Sequence, residues 1–152
     1  MPFILLLDEI EDPHNFGAIL RTADAVGVHG VLIPKRRSVS LNSTVAKTSA
    51  GAMEYVKVAQ INNVAQTLKQ LRDMNFIIIG SDAEGTEFYD KVDFNDAIVL
   101  VIGSEGKGMR RLTKENCDIL VKIPMIGKIN SLNASVASAV LMYEVFRQRR
   151  RL

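Results

Sequence analysis

The chain has 152 residues, 47% of them hydrophobic, which suits one compact domain with its own core and leaves no room for a second full domain. Lys and Arg number 19 against 17 Asp and Glu, a net charge of +2, so no polybasic tail dominates and any nucleic-acid contact has to come from a local patch. Cys117 is the single cysteine and excludes an internal disulfide; the opening residues do not read as a secretory leader, and no apolar run approaches the roughly 20 residues of a membrane span, so a cytoplasmic protein without a membrane partner is expected.

Phe3 to Leu7 is a short apolar run and reads as a buried strand. After it, Phe16, Ile19, Leu20, Ala23 and Val26 line one face of a helix. Asp12 and Pro13 are placed as its N-cap and first-turn pair, Gly27 as its stop, and Arg21 points away from the apolar stripe. Gly30 to Ile33 follows as a second strand, then a helix over Ser43 to Met53, a weak strand at Tyr55 to Val58 and a helix from about Asn63 to Met74. Phe76 to Ile79, Ile98 to Ile102 and Ile119 to Ile123 complete the buried strands. Short apolar runs alternating with helix-period stretches predict an α/β domain on a mostly parallel sheet. In the closing helix, Leu132 to Arg149, the residues Leu132, Val136, Ala139, Val140, Tyr143 and Phe146 keep helical spacing, and Ala134, Ala137, Leu141 and Met142 make its other faces apolar too. Such a helix needs cover on more than one side, from the sheet or from a second subunit.

Three clusters concentrate chemistry at strand ends and helix starts. The first runs from Asp8 to Gly17 and continues with Arg21-Thr22-Ala23, at the carboxyl edge where open α/β sheets bind ligands. Asp12 and Pro13 alone suit a plain cap worth ~1 kcal/mol, but Asn15 and Arg21 exceed what a cap requires. The second, Gly103-Ser104-Glu105-Gly106-Lys107-Gly108, carries three glycines in six residues, which lets backbone approach a ligand closely. It fails the P-loop pattern because Gly108 follows Lys107, and the dinucleotide fingerprint because Arg111 stands where the last glycine belongs. Glu105 at its centre argues further against a bound phosphate. The third cluster, Ile123-Pro124-Met125 through Gly127 to Asn130-Ser131-Leu132-Asn133, joins the last strand to the closing helix. Asn130 or Ser131 suits the N-cap there, whereas Asn133 falls inside the first turn, where a cap is no longer needed.

These three clusters, in this order, resemble the SpoU family of RNA ribose methyltransferases, particularly its bacterial 23S rRNA guanosine-2′-O-methyltransferase branch. The resemblance covers essentially the whole chain, residues 1–152, as a single catalytic domain. The N-terminal, ribosomal-protein-like RNA-binding domain that members of the branch usually add is expected to be absent. The resemblance implies a parallel α/β-knot, a deep trefoil in which the last segment threads an earlier loop. Pattern reading alone would give an ordinary doubly wound sheet, since chains rarely thread their own loops.

The same resemblance implies S-adenosyl-L-methionine as cofactor, held around Gly103, Ile123, Met125 and Leu132, with Ser81 to Ala83 and Ala50 to Gly51 as further neighbours. It implies a homodimer, an RNA partner with rRNA ahead of tRNA, no metal, and a catalytic set of Arg21, Asn15, Glu105, Ser131 and Asn133. A guanidinium stays protonated, so Arg21 suits stabilisation of a developing alkoxide or clamping of a phosphate better than proton abstraction. Lys35, Arg36, Arg37, Lys47, Lys107, Arg110 and Arg111 suit a phosphate-binding rim, with Arg21, Lys35, Arg36 and Arg110 as the RNA contacts expected. The terminal run Arg147 to Arg151 suits the dipole at the end of the closing helix. His14 and His29 are too isolated for a metal site. A tRNA 2′-O-methyltransferase and a non-catalytic RNA-binding module that keeps the fold are the alternatives, with a generic nucleotide-binding enzyme disfavoured by the two failed phosphate motifs.

Overall fold

The structure is a computed structural model that describes residues 1–36, 41–104 and 106–150. Its strands are β1 (Phe3–Asp8), β2 (Gly30–Pro34), β3 (Val58–Ile61), β4 (Ile77–Ser81), β5 (Glu87–Phe88), β6 (Ile98–Gly103) and β7 (Ile119–Lys122). They form one sheet in the order β3-β2-β1-β6-β4-β7-β5, and every pairing in it is parallel. The helices are α1 (Pro13–Val26), α2 (Ser43–Thr48), α3 (Val64–Asp73), α4 (Arg111–Glu115) and α5 (Ala134–Arg149). The α/β reading with a parallel sheet therefore holds.

The two central strands, β1 and β6, are apolar without alternation because both faces of the sheet are covered. Leu5 and Leu7 pack with Phe16, Ile19, Leu20, Leu141, Met142 and Val145 of α1 and α5 on one face. On the other, Leu6, Val99 and Val101 pack with Val64 and Leu68 of α3 and with Met109. Each such aliphatic side chain contributes about 1.5–3 kcal/mol when fully buried, so this doubly covered pair anchors the layers.

Local signals placed most elements well. Asp12 caps α1 by accepting the His14 N–H at 2.8 Å, and Gly27 ends it in the left-handed region at φ 78°. Asn63 caps α3, its side chain accepting from Gln66 at 3.0 Å. The helix expected over Ser43 to Met53 is shorter. Ala50 at φ 53° and Gly51 at φ 87° are both left-handed, and the chain resumes only as one tight turn over Ala52–Glu54. That detour shifts the weak strand from Tyr55 to Val58 onto Val58–Ile61. β5 was not expected, since its two residues are exposed and carry no apolar alternation.

The packing of α5 separates its several apolar faces. Ala134, Ser138, Leu141, Met142 and Val145 face the core, whereas Val136 and Tyr143 of the apolar spacing turn outward, 48% and 50% exposed. The arginine-rich end does more than complement a dipole. Arg149 donates to the carbonyls of Phe94 at 2.9 Å, Met1 at 2.8 Å and Asp96 at 2.6 Å, and so ties the helix to the amino-terminal strand and to the turn before β6. Gln148 bonds Val92 and Phe94 on the same turn, and Arg147 holds the neighbouring Glu144 carboxyl below the usual carboxylate range. No helix among the described residues is long and apolar enough to cross a membrane.

α1 and α2 meet at Gly17, where a Cβ would lie 1.7 Å from Thr48 Oγ1 and 2.7 Å from its Cβ. Overpacking of this kind costs roughly 1–3 kcal/mol. Gly17→Ala is expected to lower the urea midpoint by that measure, and Thr48→Ala in the same chain should restore part of the loss. An unchanged midpoint would mean that α2 does not rest on α1.

Candidate functional site

The carboxyl ends of β4, β6 and β7 release the loops that build a cleft of about 440 Å³. Gly103, Ile123, Met125, Leu132, Ser81 and Ala83, the residues expected around a cofactor, all line it, as does Ser131. Ala50 and Gly51 do not; they lie beyond α2. The apolar part of the wall is Ile102, Ile123, Leu132, Ala134 and Ala137. Its charged part is Asp82, Glu84, Lys107 and Lys114; Asp82 falls within the expected Ser81 to Ala83 and Lys107 within the second cluster, whereas Glu84 and Lys114 went unread because neither belongs to a spaced motif. Lys114 Nζ lies 3.1 Å from Asp82, joining α4 to the loop after β4, and the same carboxylate accepts the Glu84 N–H at 2.8 Å.

The glycines of the second cluster shape a tight hairpin. Ser104 and Gly108 exchange backbone hydrogen bonds of 3.2 and 2.8 Å, and a Cβ at Gly103 would lie 2.3 Å from both Gly108 C and Met109 N. Gly106 and Gly108 have φ 82° and 69°, left-handed values that L side chains rarely adopt. Glu105 lies outside the described residues, as does Arg37 of the basic rim.

A second hollow of about 450 Å³ adjoins the cleft and shares Ser104, Lys107 and Ala134 with it. Asn15 lines it, beside Glu9 and Glu11. Asn133 is the N-cap of α5, which corrects both the placement of that cap at Asn130 or Ser131 and the reading of Asn133 as lying past it. Its Oδ1 accepts the Ser135 N–H at 2.9 Å, while its Nδ2 donates to Asn15 Oδ1 at 3.1 Å. Residues 118 positions apart are thus held together where the cleft meets the hollow.

Arg21 is exposed on α1, six residues beyond Asn15 and roughly 9 Å along the helix axis, and lines neither hollow. Within one chain it is not brought to the cleft. Lys35 and Arg36 are exposed just after β2 on the same sheet edge and also line neither. Arg110, expected on RNA, pairs with the buried Asp8: its Nε and Nη2 lie 2.9 and 2.8 Å from Asp8 Oδ1. A carboxylate removed from water recruits the nearest guanidinium, and no local pattern announces a partner that far along the chain. His29 is occupied too, its Nδ1 accepting the Phe3 N–H at 2.9 Å.

Cys117 packs against Gly80, whose Cβ, if present, would lie 2.6 Å from the sulfur. Burial first, and then the charge of Asp118, pushes the thiol from its ordinary value of 9.0 up to about 12. Below pH 9 the thiol is protonated whether the chain is folded or not. Above it the unfolded chain releases a proton that the folded one keeps, so stability falls between pH 9 and about 12. The loss is at most about 1.4 kcal/mol per pH unit. Denaturation of the wild type across this range is expected to show a steeper decline than Cys117→Ala, and identical slopes would rule the shift out.

Comparison with known proteins gives a consistent picture. The SpoU rRNA Methylase family matches residues 2–143. A Bacillus subtilis (strain 168) protein named for the TrmH family of tRNA/rRNA methyltransferases is 57% identical over 148 residues, covering 97% of this chain and 59% of that protein. The chain therefore spans about three-fifths of that curated relative. The SpoU methyltransferase AviRb of Streptomyces viridochromogenes, solved in complex with AdoMet, superposes with a TM-score of 0.89 at 28% identity, over 96% of this chain and 57% of that one. A structure described as an RNA 2′-O ribose methyltransferase superposes with a TM-score of 0.88 at 31% identity, over 97% of this chain and 57% of that one.

Proposed function

The chain belongs to the SpoU rRNA methylase family, and on that footing we propose that it methylates a ribose 2′-oxygen of structured RNA, using S-adenosyl-L-methionine bound in the cleft. The observation that carries this reading is the convergence of Ser81, Ala83, Gly103, Ile123, Met125 and Leu132 on one cavity beside Asn15 and Asn133. Its volume of about 440 Å³ lies within the range of small-molecule sites. Ile102, Ile123, Leu132 and Ala137 offer an apolar slot suited to a purine, and Asp82, Glu84, Lys107 and Lys114 offer both signs of charge to a zwitterionic amino-acid tail and ribose hydroxyls. We read the segment from Ile123 to Leu132, between β7 and α5, as the threaded part of the α/β-knot.

When bound, S-adenosyl-L-methionine supplies an electrophilic methyl group on a sulfonium sulfur. The apolar wall excludes bulk water and so favours a reaction in which charge is neutralised. Asn15 and Asn133 orient groups at the junction of the cleft and the hollow, with Ser131 beside them. Arg21 steadies the 2′-oxygen as it gains negative charge, or clamps the neighbouring phosphate with its planar fork. Glu105 holds Arg21 or the substrate. Lys35 and Arg36 supply phosphate contacts on the same edge.

Arg21 reaches the cleft from a second copy of the chain. Its distance from the cleft within one chain supports this, as does the outward apolar stripe of α5, where Val136 and Tyr143 are about half exposed. A two-fold contact on this face covers the stripe on both copies. We place the substrate in rRNA ahead of tRNA, on the likeness of the three motifs to the 23S branch.

Calorimetric titration with S-adenosyl-L-methionine should give saturable heat, and its absence would favour a non-catalytic RNA-binding module. Arg21→Ala should keep that heat while lowering methyl transfer about 10²–10³-fold, as loss of a preorganised stabilising donor does. Mass mapping of products from 23S rRNA and tRNA incubated with the enzyme locates the methyl group: methylation of tRNA alone would move the substrate, and methylation of a base would overturn the ribose reading.

Sedimentation at micromolar concentration should show a dimer that Tyr143→Glu converts to monomer with loss of methyl transfer. A wild-type monomer that is fully active would remove the second copy from the site.

A further inference from the structure

The loop that walls the cleft is closed by an ion pair that the motif reading did not use. Asp8 ends β1, is 0% exposed, and is paired in register with Gly103 at the end of β6, so its carboxylate lies where the glycine hairpin begins. The hairpin ends at Arg110, the residue before α4. The Arg110 backbone N–H donates to Asp8 Oδ2 at 2.9 Å, and its guanidinium reaches Oδ1 through Nε at 2.9 Å and Nη2 at 2.8 Å. Glu9 Oε1 lies a further 3.8 Å from Nε. Both ends of the hairpin are therefore fixed to β1, the first through the sheet and the second through one side chain.

Little slack lies between those ends. The contact of Gly103 with Gly108 and Met109 leaves no space for even a Cβ, and Met109 is buried to 8% exposure in the lower core. Gly103, Ser104, Gly106, Lys107 and Gly108 all line the cleft. From this geometry we infer that Asp8 and Arg110 are positioning residues: the pair holds the hairpin in the shape that admits the cofactor and touches neither cofactor nor RNA. The inference rests on the cleft being the cofactor site. It also reassigns Arg110, whose charge is met by Asp8 and Glu9, away from the phosphate contacts expected from sequence.

Two substitutions dissect the pair. Arg110→Ala removes the guanidinium but keeps the backbone N–H to Asp8, and Arg110→Lys restores a charge without the fork. Titration of the full chain with S-adenosylhomocysteine, an inert probe of the same cleft, should show affinity reduced at least 10-fold in Arg110→Ala and partly recovered in Arg110→Lys. Hydrogen exchange on the free proteins should show faster exchange at the hairpin amides, with α1 and α5 unchanged. In steady-state kinetics the KM for S-adenosyl-L-methionine should rise, while the KM for RNA at saturating cofactor stays within about 2-fold. Asp8→Asn gives an independent check, because an amide presents a donor where Arg110 needs an acceptor, and it should reproduce the hairpin exchange. An unchanged probe affinity in Arg110→Ala, or a raised KM for RNA alone, overturns the inference and returns Arg110 to the RNA surface. Failure of the wild-type chain to bind the probe would instead sink the cofactor reading of the cleft.

Discussion

Because every strand of the sheet runs the same way, each crossover must return the chain to the opposite edge, and all the strand-end loops leave from one side. The central pair β1 and β6 sets where they leave. These strands are covered on both faces and share a six-residue register from Phe3↔Ile98 to Asp8↔Gly103, so neither slides against the other without exposing a core side chain. The first and second clusters consequently emerge side by side. β4 and β7 continue the sheet from β6, and the loop from β7 into α5 brings the third cluster over the same edge.

The cleft wall draws on two kinds of group. Backbone packs closely at the Gly103–Gly108 contact, and Ile102, Ile123 and Leu132 supply the apolar wall. Side chains with charge, Asp82, Lys107 and Lys114, stand among apolar neighbours, and Lys114 is already paired with Asp82. Shape and hydrophobic contact therefore come from packing that the core enforces, while polarity comes from a few groups steadied by one another. A net charge of only +2 agrees with that division, since the charged groups that matter are local.

Much of this was readable before any coordinates, for identifiable reasons. Five buried strands and the cap Asp12 announce themselves through apolar runs and a short side chain that bonds the nearby backbone, and Asn63, read as the start of its helix, caps it in the same way. What sequence could not show depends on distance or on tertiary choice. The Asp8–Arg110 pair spans 102 residues. The two-residue β5 has no pattern to detect, and the left-handed Ala50 carries no glycine-like signal. α5 was apolar on so many faces that periodicity could not choose among them, and the burial of Ser138 and Glu144 on its inner side disguised the core face. Arg21 is the sharpest case, since its motif was plain and its place in one chain is away from the cleft.

The side chain at position 133 answers two demands at once. The start of α5 needs a short acceptor, which serine, threonine or aspartate also provide, and Asn15 on α1 needs a donor pointing the other way. A hydroxyl is too short to span both tasks, a carboxylate meets the second only if the Asn15 amide turns its own N–H groups toward it, and glutamine carries its amide too far from its own backbone. A carboxamide on one methylene meets both with Asn15 as it stands and splices the first helix to the last, and so a tilt of the carboxyl-terminal helix is felt at the entrance of the amino-terminal one.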